Sequence, residues 1–202
     1  MFEEKTHAQT FWLSFLILTF LALEDFLMLS LAAQKTPGLG SYIQIYSALI
    51  LGGLALTLLF HMFVTSKLSY FAVTAIALGT LVRIIAVVQL PFYSDVLQST
   101  EEAARALLSG ENPYTRVFSV GPKDVFAYPP FQPVYYLPFL SVDIRYGEVF
   151  ASLTTMIIIY LAGRISKSKL TVPVLTFYSL SGVLIACAAI GTNDTSAGML
   201  NA

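Results

Sequence analysis

The chain has 202 residues, is 56% hydrophobic and only 11% charged, and carries a net charge of −1. Soluble domains hold about 25% charged residues, and one this poor in charge would expose large apolar patches, so the expectation is a membrane protein. The near-neutral charge removes nucleic acid as a partner. The single cysteine, Cys187, excludes an intramolecular disulfide or a cluster built on several thiolates.

The N-terminus, MFEEKTHAQT, is acidic where a secretory leader is basic, so the first apolar run reads as a retained span over 11–33. Trp12 sits at its start, as an interfacial aromatic does. Glu24 and Asp25 fall near its middle, a depth at which acids are costly and face a partner or a wet cavity. A turn with Pro37, Gly38 and Gly40 leads to a second span over 42–63, where Ala48 and Gly52 have the spacing that lets helices approach closely. His7 and His61 stand alone, without a second ligand at metal-binding spacing. A third span covers 70–90, ends at Pro91 and carries Arg83.

Residues 92–140 form the one long polar stretch. They hold eight of the 23 charged residues (11 basic and 12 acidic) and six of the nine prolines. Ser94 is placed to cap a helix whose apolar residues (Val96, Leu97, Ala103, Ala104, Leu107 and Leu108) recur at helical spacing, interleaved with Gln98, Glu101, Glu102 and Arg105. This predicts an amphipathic helix along a membrane surface, ended by Gly110. Asn112-Pro113 and Gly121-Pro122 mark turns in the loop that follows. Residues 128–141 are apolar, but they are short and hold four prolines, so they read as an interfacial or re-entrant segment. A fourth span covers 147–163 and runs into Arg164-Ile165-Ser166-Lys167-Ser168-Lys169, a basic turn assigned to the cytoplasm. A fifth span, 170–190, then delivers Gly191-Thr192-Asn193-Asp194 to the face that carries Asp95, provided that 128–141 does not cross. Asn193-Asp194-Thr195 also matches a glycosylation sequon. Residues 195–202 read as the start of another helix, so the sequence is expected to be an N-terminal fragment, or to have its missing helices supplied by a second chain. The expected fold is an all-α polytopic bundle of about five spans, one membrane domain with an outer loop over 92–146.

Asp95 follows a span and opens a surface helix. Gly110-Glu111-Asn112-Pro113-Tyr114 comes next, and Tyr128-Pro129-Pro130 heads an apolar stretch. In this order the residues resemble the GT-C superfamily of polyprenol-phosphate-sugar-dependent glycosyltransferases, with the nearest likeness to its mannosyltransferases. The resemblance covers roughly residue 70 to the C-terminus. It implies that Asp95 is the catalytic base, that the amphipathic helix and the proline-rich segment are two juxtamembrane helices, and that Gly191-Thr192-Asn193-Asp194 is similar to a Gly-x-Asn-Asp motif on the next outer loop.

The implied reaction moves a mannose-like hexose from a polyprenyl-phosphate donor to a hydroxyl of a glycan or lipid acceptor, at the outer face of a cell membrane. A general base takes the acceptor proton, and a helix N-terminus favours the ionised form that Asp95 needs. Cations stabilise the leaving phosphate, with Arg105, Arg116 and Lys123 as candidates and Arg116 preferred. Asp194, with Asn193, would orient the acceptor or share a divalent ion with Asp95, and Tyr114 and Tyr128 would stack on sugar rings. The alternative is a non-enzymatic polytopic protein such as a transporter subunit, because intramembrane charges also mark transport paths. If the first and third spans both run outward, Arg83 lies at the depth of Glu24 and Asp25, and pairing across the bundle is expected. Removal of Arg83 then impairs folding, and neutralising Glu24 or Asp25 restores it; expression tests in which neither change rescues would reject the pairing.

Overall fold

The structure, a computed structural model, describes residues 68–90, 94–120, 126, 128–168 and 170–192. The first two expected spans lie outside the described residues, together with Glu24, Asp25, Lys123, Asn193 and Asp194. The described residues are helical, with no strand among them. Six α-helices follow one another: α1 (Leu68–Gln89), α2 (Asp95–Leu108), α3 (Phe131–Tyr136), α4 (Tyr146–Ser166), α5 (Thr171–Leu180) and α6 (Gly182–Ile190). Single 3-10 turns occupy Pro113–Thr115 and Leu137–Phe139.

Helices α1 and α4 are long and apolar enough to cross a membrane, by length and composition. With 22 and 21 residues they extend about 33 and 32 Å, against a hydrocarbon thickness of about 30 Å. On α1 the buried stripe is small: Ala72, Ala75, Gly79, Val82 and Ala86 follow three-and-four spacing. Val73, Leu81, Ile84 and Val88 point outward and are exposed. A helix apolar on its outer face as well as its inner one is unlike a soluble surface helix. Arg83 is fully buried on this helix. Its expected partners, Glu24 and Asp25, are outside the described residues.

The residues of the fifth expected span form two helices, α5 and α6. Ser181 takes an extended conformation (ψ 119°) and interrupts the run. Its hydroxyl accepts from Leu184 N–H at 3.4 Å, so it acts as N-cap of α6, and Gly182 follows it.

By compactness the chain divides into two units, residues 1–81 with 156–185, and residues 82–155 with 186–202. In the first, Gly79 lies against the backbone of Ser179, where an added Cβ would come within 2.7 Å of the carbonyl oxygen. Ser179 Oγ donates to Met156 Sδ at 3.1 Å. The α4–α5 turn is equally close, with Gly163 directly under the Thr171 side chain.

The second unit contains the polar stretch. Ser94 caps α2 by accepting from Leu97 N–H at 3.4 Å, and Gly110, at φ +76°, ends it. Glu111 N–H then reaches back to Ala106 O at 2.9 Å, the long reversed bond of a left-handed helix stop. Leu97 packs with Tyr136 and Ile144 in one buried cluster, and Ala103 packs with Phe118 and Phe126 in another. The alanines of α2 thus admit aromatic rings close to the helix axis. Residues 128–141 fold as α3 and a 3-10 turn, about 9 and 6 Å long at roughly 1.5 and 2.0 Å per residue. Neither length can cross a bilayer.

Two tyrosines of α3 seat on the first turn of α4. Tyr135 Oη donates to Gly147 O at 2.8 Å, and Tyr136 donates a short hydrogen bond to the buried carboxylate of Glu148. Gly147 makes this possible, because a Cβ there would stand 2.6 Å from the Tyr136 ring. Gly147→Ala is therefore expected to destabilise the chain by about 1–3 kcal/mol through overpacking. Denaturant unfolding in detergent measures the change, and an unaltered midpoint would contradict the close seating.

Candidate functional site

Asp95 occupies the first turn of α2, beside its Ser94 cap, with an exposed side chain. Its carboxylate makes no hydrogen bond or ion pair with another described residue. Its charge is felt by Tyr128. Burial raises the Tyr128 phenol above its ordinary value, and the negative charge of Asp95 raises it further. The phenol therefore stays protonated at neutral pH, a hydrogen-bond donor within the field of an exposed carboxylate.

The rest of the loop holds Tyr128 in place. Asn112 Oδ1 accepts from Tyr114 N–H at 3.0 Å and caps the 3-10 turn that begins at the buried Pro113. Tyr114 Oη, its phenol also raised by burial, donates to Tyr128 O at 2.8 Å. Phe126 sits between the two tyrosines, with ring centroids 5.7 Å from Tyr114 and 5.4 Å from Tyr128. Glu102 tethers the loop to α2, accepting from Ser119 N–H at 3.1 Å and from the Ser119 hydroxyl. The Gly110–Tyr114 turn and the Tyr128-Pro129-Pro130 head are thus joined by a direct hydrogen bond.

The expected cations stand elsewhere. Arg105 pairs with Glu101 at 2.7 Å, one turn before it on α2. Arg116 pairs with Glu111 at 3.0 Å, just past the C-terminal end of the same helix. Helix α2 has 14 residues, so that end is roughly 20 Å along the axis from Asp95, at about 1.5 Å per residue. The geometry separates Arg105 and Arg116 from Asp95, and the preference for Arg116 gains no support. An open groove of about 450 Å³, lined by Leu107, Glu111, Pro113, Tyr114, Pro130 and Val134, lies at the Arg116 end. Lys123, Asn193 and Asp194 are outside the described residues.

Arg145 is a linking residue that the sequence did not single out. Its Nη1 donates to Leu90 O at 2.8 Å and to Ala189 O at 2.9 Å. Its Nε and Nη2 grip Asp143, the latter at 2.7 Å from Oδ2. Close by, Ser94 N–H donates to Ile190 O at 3.2 Å. The end of α1, the start of α2, the start of α4 and the end of α6 therefore meet at one place. The segment between α1 and α4 leaves this point and returns to it. The available signal was local: Asp143 stands two residues before Arg145 at a helix start, and its Oδ1 accepts from Arg145 N–H at 2.9 Å in an Asx turn.

Among the described residues, no three His, Cys, Asp or Glu side chains converge as metal ligands would. The chain was compared with family models, curated proteins and solved structures, and none matches it.

Burial raises the Asp143 carboxyl, but hydrogen bonds and charge from Arg145 outweigh it, and the net shift is downward. A carboxylate so lowered adds stability that is complete above its unfolded value of about 3.9 and is lost as pH falls through the folded value. Asp143→Asn keeps a turn acceptor but not the charge. Its thermal stability is expected to be lower at pH 7 and to fall less than that of the parent between pH 5 and pH 3, as melting curves at stepped pH would show. Parallel curves would remove the ion pair from the stability of the clamp.

Proposed function

We propose that this chain is part of a polytopic membrane glycosyltransferase that moves a hexose from a polyprenyl-phosphate donor to an acceptor hydroxyl, with Asp95 as general base. In this reading α1, α4 and the α5–α6 pair cross the membrane together with the first two apolar runs, and residues 92–146 form a loop on the outer face. The observation that carries it is the return of the loop to its starting point. An exposed carboxylate at the head of a surface helix, a protonated phenol beside it and a tethered aromatic loop all belong to an excursion too short to cross.

The acceptor oxygen attacks the anomeric carbon and gives its proton to Asp95 as the new C–O bond forms. The bond from that carbon to the phosphate oxygen breaks, and the lipid phosphate leaves with the electron pair. Tyr128 donates a hydrogen bond to a sugar or acceptor oxygen and orients it. The leaving phosphate calls for a cation. Arg105, about 15 Å along α2, and Arg116, past its C-terminal end, stand too far off to meet a phosphate held at Asp95, which leaves Lys123 of the three. A shared divalent ion would need Asp194 beside Asp95.

Membranes containing the full chain, supplied with a radiolabelled polyprenyl-phosphate sugar, are expected to transfer label to an acceptor fraction. Asp95→Asn, which keeps shape but not basicity, is expected to lower the rate by about 100-fold or more. Equal transfer by both forms would remove Asp95 from the mechanism. Absence of transfer by the parent would return the reading to a non-enzymatic membrane protein.

A further inference from the structure

We infer that Arg145 is a positioning residue that fixes the start of the Asp95 helix against the turn at 190–192. The geometric half of this stands on the hydrogen bonds alone, and the catalytic half rests on Asp95 being the general base.

The last carbonyls of a helix have no partner within it and lie at the negative end of its dipole. At the end of α6 three of these carbonyls find donors. Cys187 O accepts from Gly191 N–H at 3.0 Å and from Thr192 N–H at 3.1 Å, a stop that needs the positive φ (71°) of Gly191. Ala189 O accepts from Arg145, and Ile190 O accepts from Ser94 N–H. The same Arg145 nitrogen holds Leu90 O, just beyond α1. Asp143 occupies the remaining edge of the guanidinium and fixes its plane. The Arg145 side chain is 9% exposed, so water does not substitute readily for these bonds. The route to the site is short. Arg145 holds Ala189, the next residue holds Ser94, and Ser94 both caps α2 and precedes Asp95.

Lysine cannot replace this arrangement. A single ammonium reaches the two carbonyls but cannot also present two fixed nitrogens to a carboxylate. Loss of the grip frees the 189–192 end to move against Ser94. Displacement of a reacting group by about 1 Å costs on the order of 100-fold in rate.

The full chain in detergent, with Cys187→Ala and spin labels at Gln98→Cys and Thr192→Cys, reports the latch as an interlabel distance distribution. A narrow distribution is expected with Arg145 present, a broad or shifted one with Arg145→Met, and an intermediate one with Arg145→Lys. If Arg145→Met does not yield folded, monodisperse protein, Arg145→Lys and Asp143→Asn decide. Unchanged distributions in the folded variants would overturn the latch. In parallel, sugar transfer per folded molecule is expected to show kcat lowered about 100-fold with the donor KM retained. A shifted distribution with full kcat would overturn the catalytic half. Should the parent transfer no sugar, the role of Asp95 falls, while the label distances still decide the geometric half.

Discussion

One guanidinium holds the polar segment to the helices that flank it. Arg145 donates to carbonyls at the ends of α1 and α6 while Asp143 fixes its plane. Three demands meet at that point. Helix-end carbonyls need donors, a cation is favoured at the negative end of a helix, and a buried charge needs a counterion. Arginine meets all three because its donors diverge in a plane, and lysine would leave at least one unmet. The structure depends on the arrangement because the polar segment is built from short elements. Helix α3 has six residues and each 3-10 turn three, too few to be stable without tertiary anchoring.

Fixed at its ends, the segment is shaped inside by small residues and tyrosines. Ala103 is buried under Phe118 and Phe126, and Gly147 lies under Tyr136. At both contacts the missing side-chain volume lets a ring approach a helix backbone. The tyrosine hydroxyls then make the polar links, from Tyr114 to the Tyr128 carbonyl and from Tyr135 to the Gly147 carbonyl. Each ring fills an apolar gap while its hydroxyl satisfies a backbone acceptor, which is why tyrosine serves where phenylalanine or serine would meet only one need.

Where local chemistry decides structure, the sequence was readable. Ser94 caps α2, Gly110 stops it, Asn112-Pro113 turns, and Pro91 follows the end of a long apolar helix, because each depends only on its immediate neighbours. The boundaries of α1 and α4 fall within three residues of the expected spans, since uninterrupted apolar runs leave little freedom. Two features were not readable. Ser181 breaks an apolar run that composition alone would continue. Arg145 looked like one more loop cation, because its carbonyl partners lie 55 and 44 positions away. Of the expected site residues, Tyr114 and Tyr128 are joined by a hydrogen bond and Asp95 acts on Tyr128 through its charge, whereas Arg105 lies about 15 Å along the α2 axis from Asp95 and Arg116 past the end of that helix.

That separation bears on what α2 is for. A helix whose buried face is mostly alanine, serine and threonine, with Leu97 its one large apolar residue, contributes little apolar area of its own, so its place comes from what packs on it and from its two ends. The N-terminal end is tied to Ile190 through Ser94 and bears the exposed carboxylate of Asp95, and the C-terminal end is tied to the loop and borders an open groove beside an ion-paired arginine. Such a helix works as a spacer, setting a fixed distance between the carboxylate at one end and the groove at the other. In the proposed reaction the donor and the acceptor must likewise be held at constant distance around one reacting bond. Rigidity between the two matters more than affinity for either, because a tightly held substrate offered at the wrong distance gains nothing in rate.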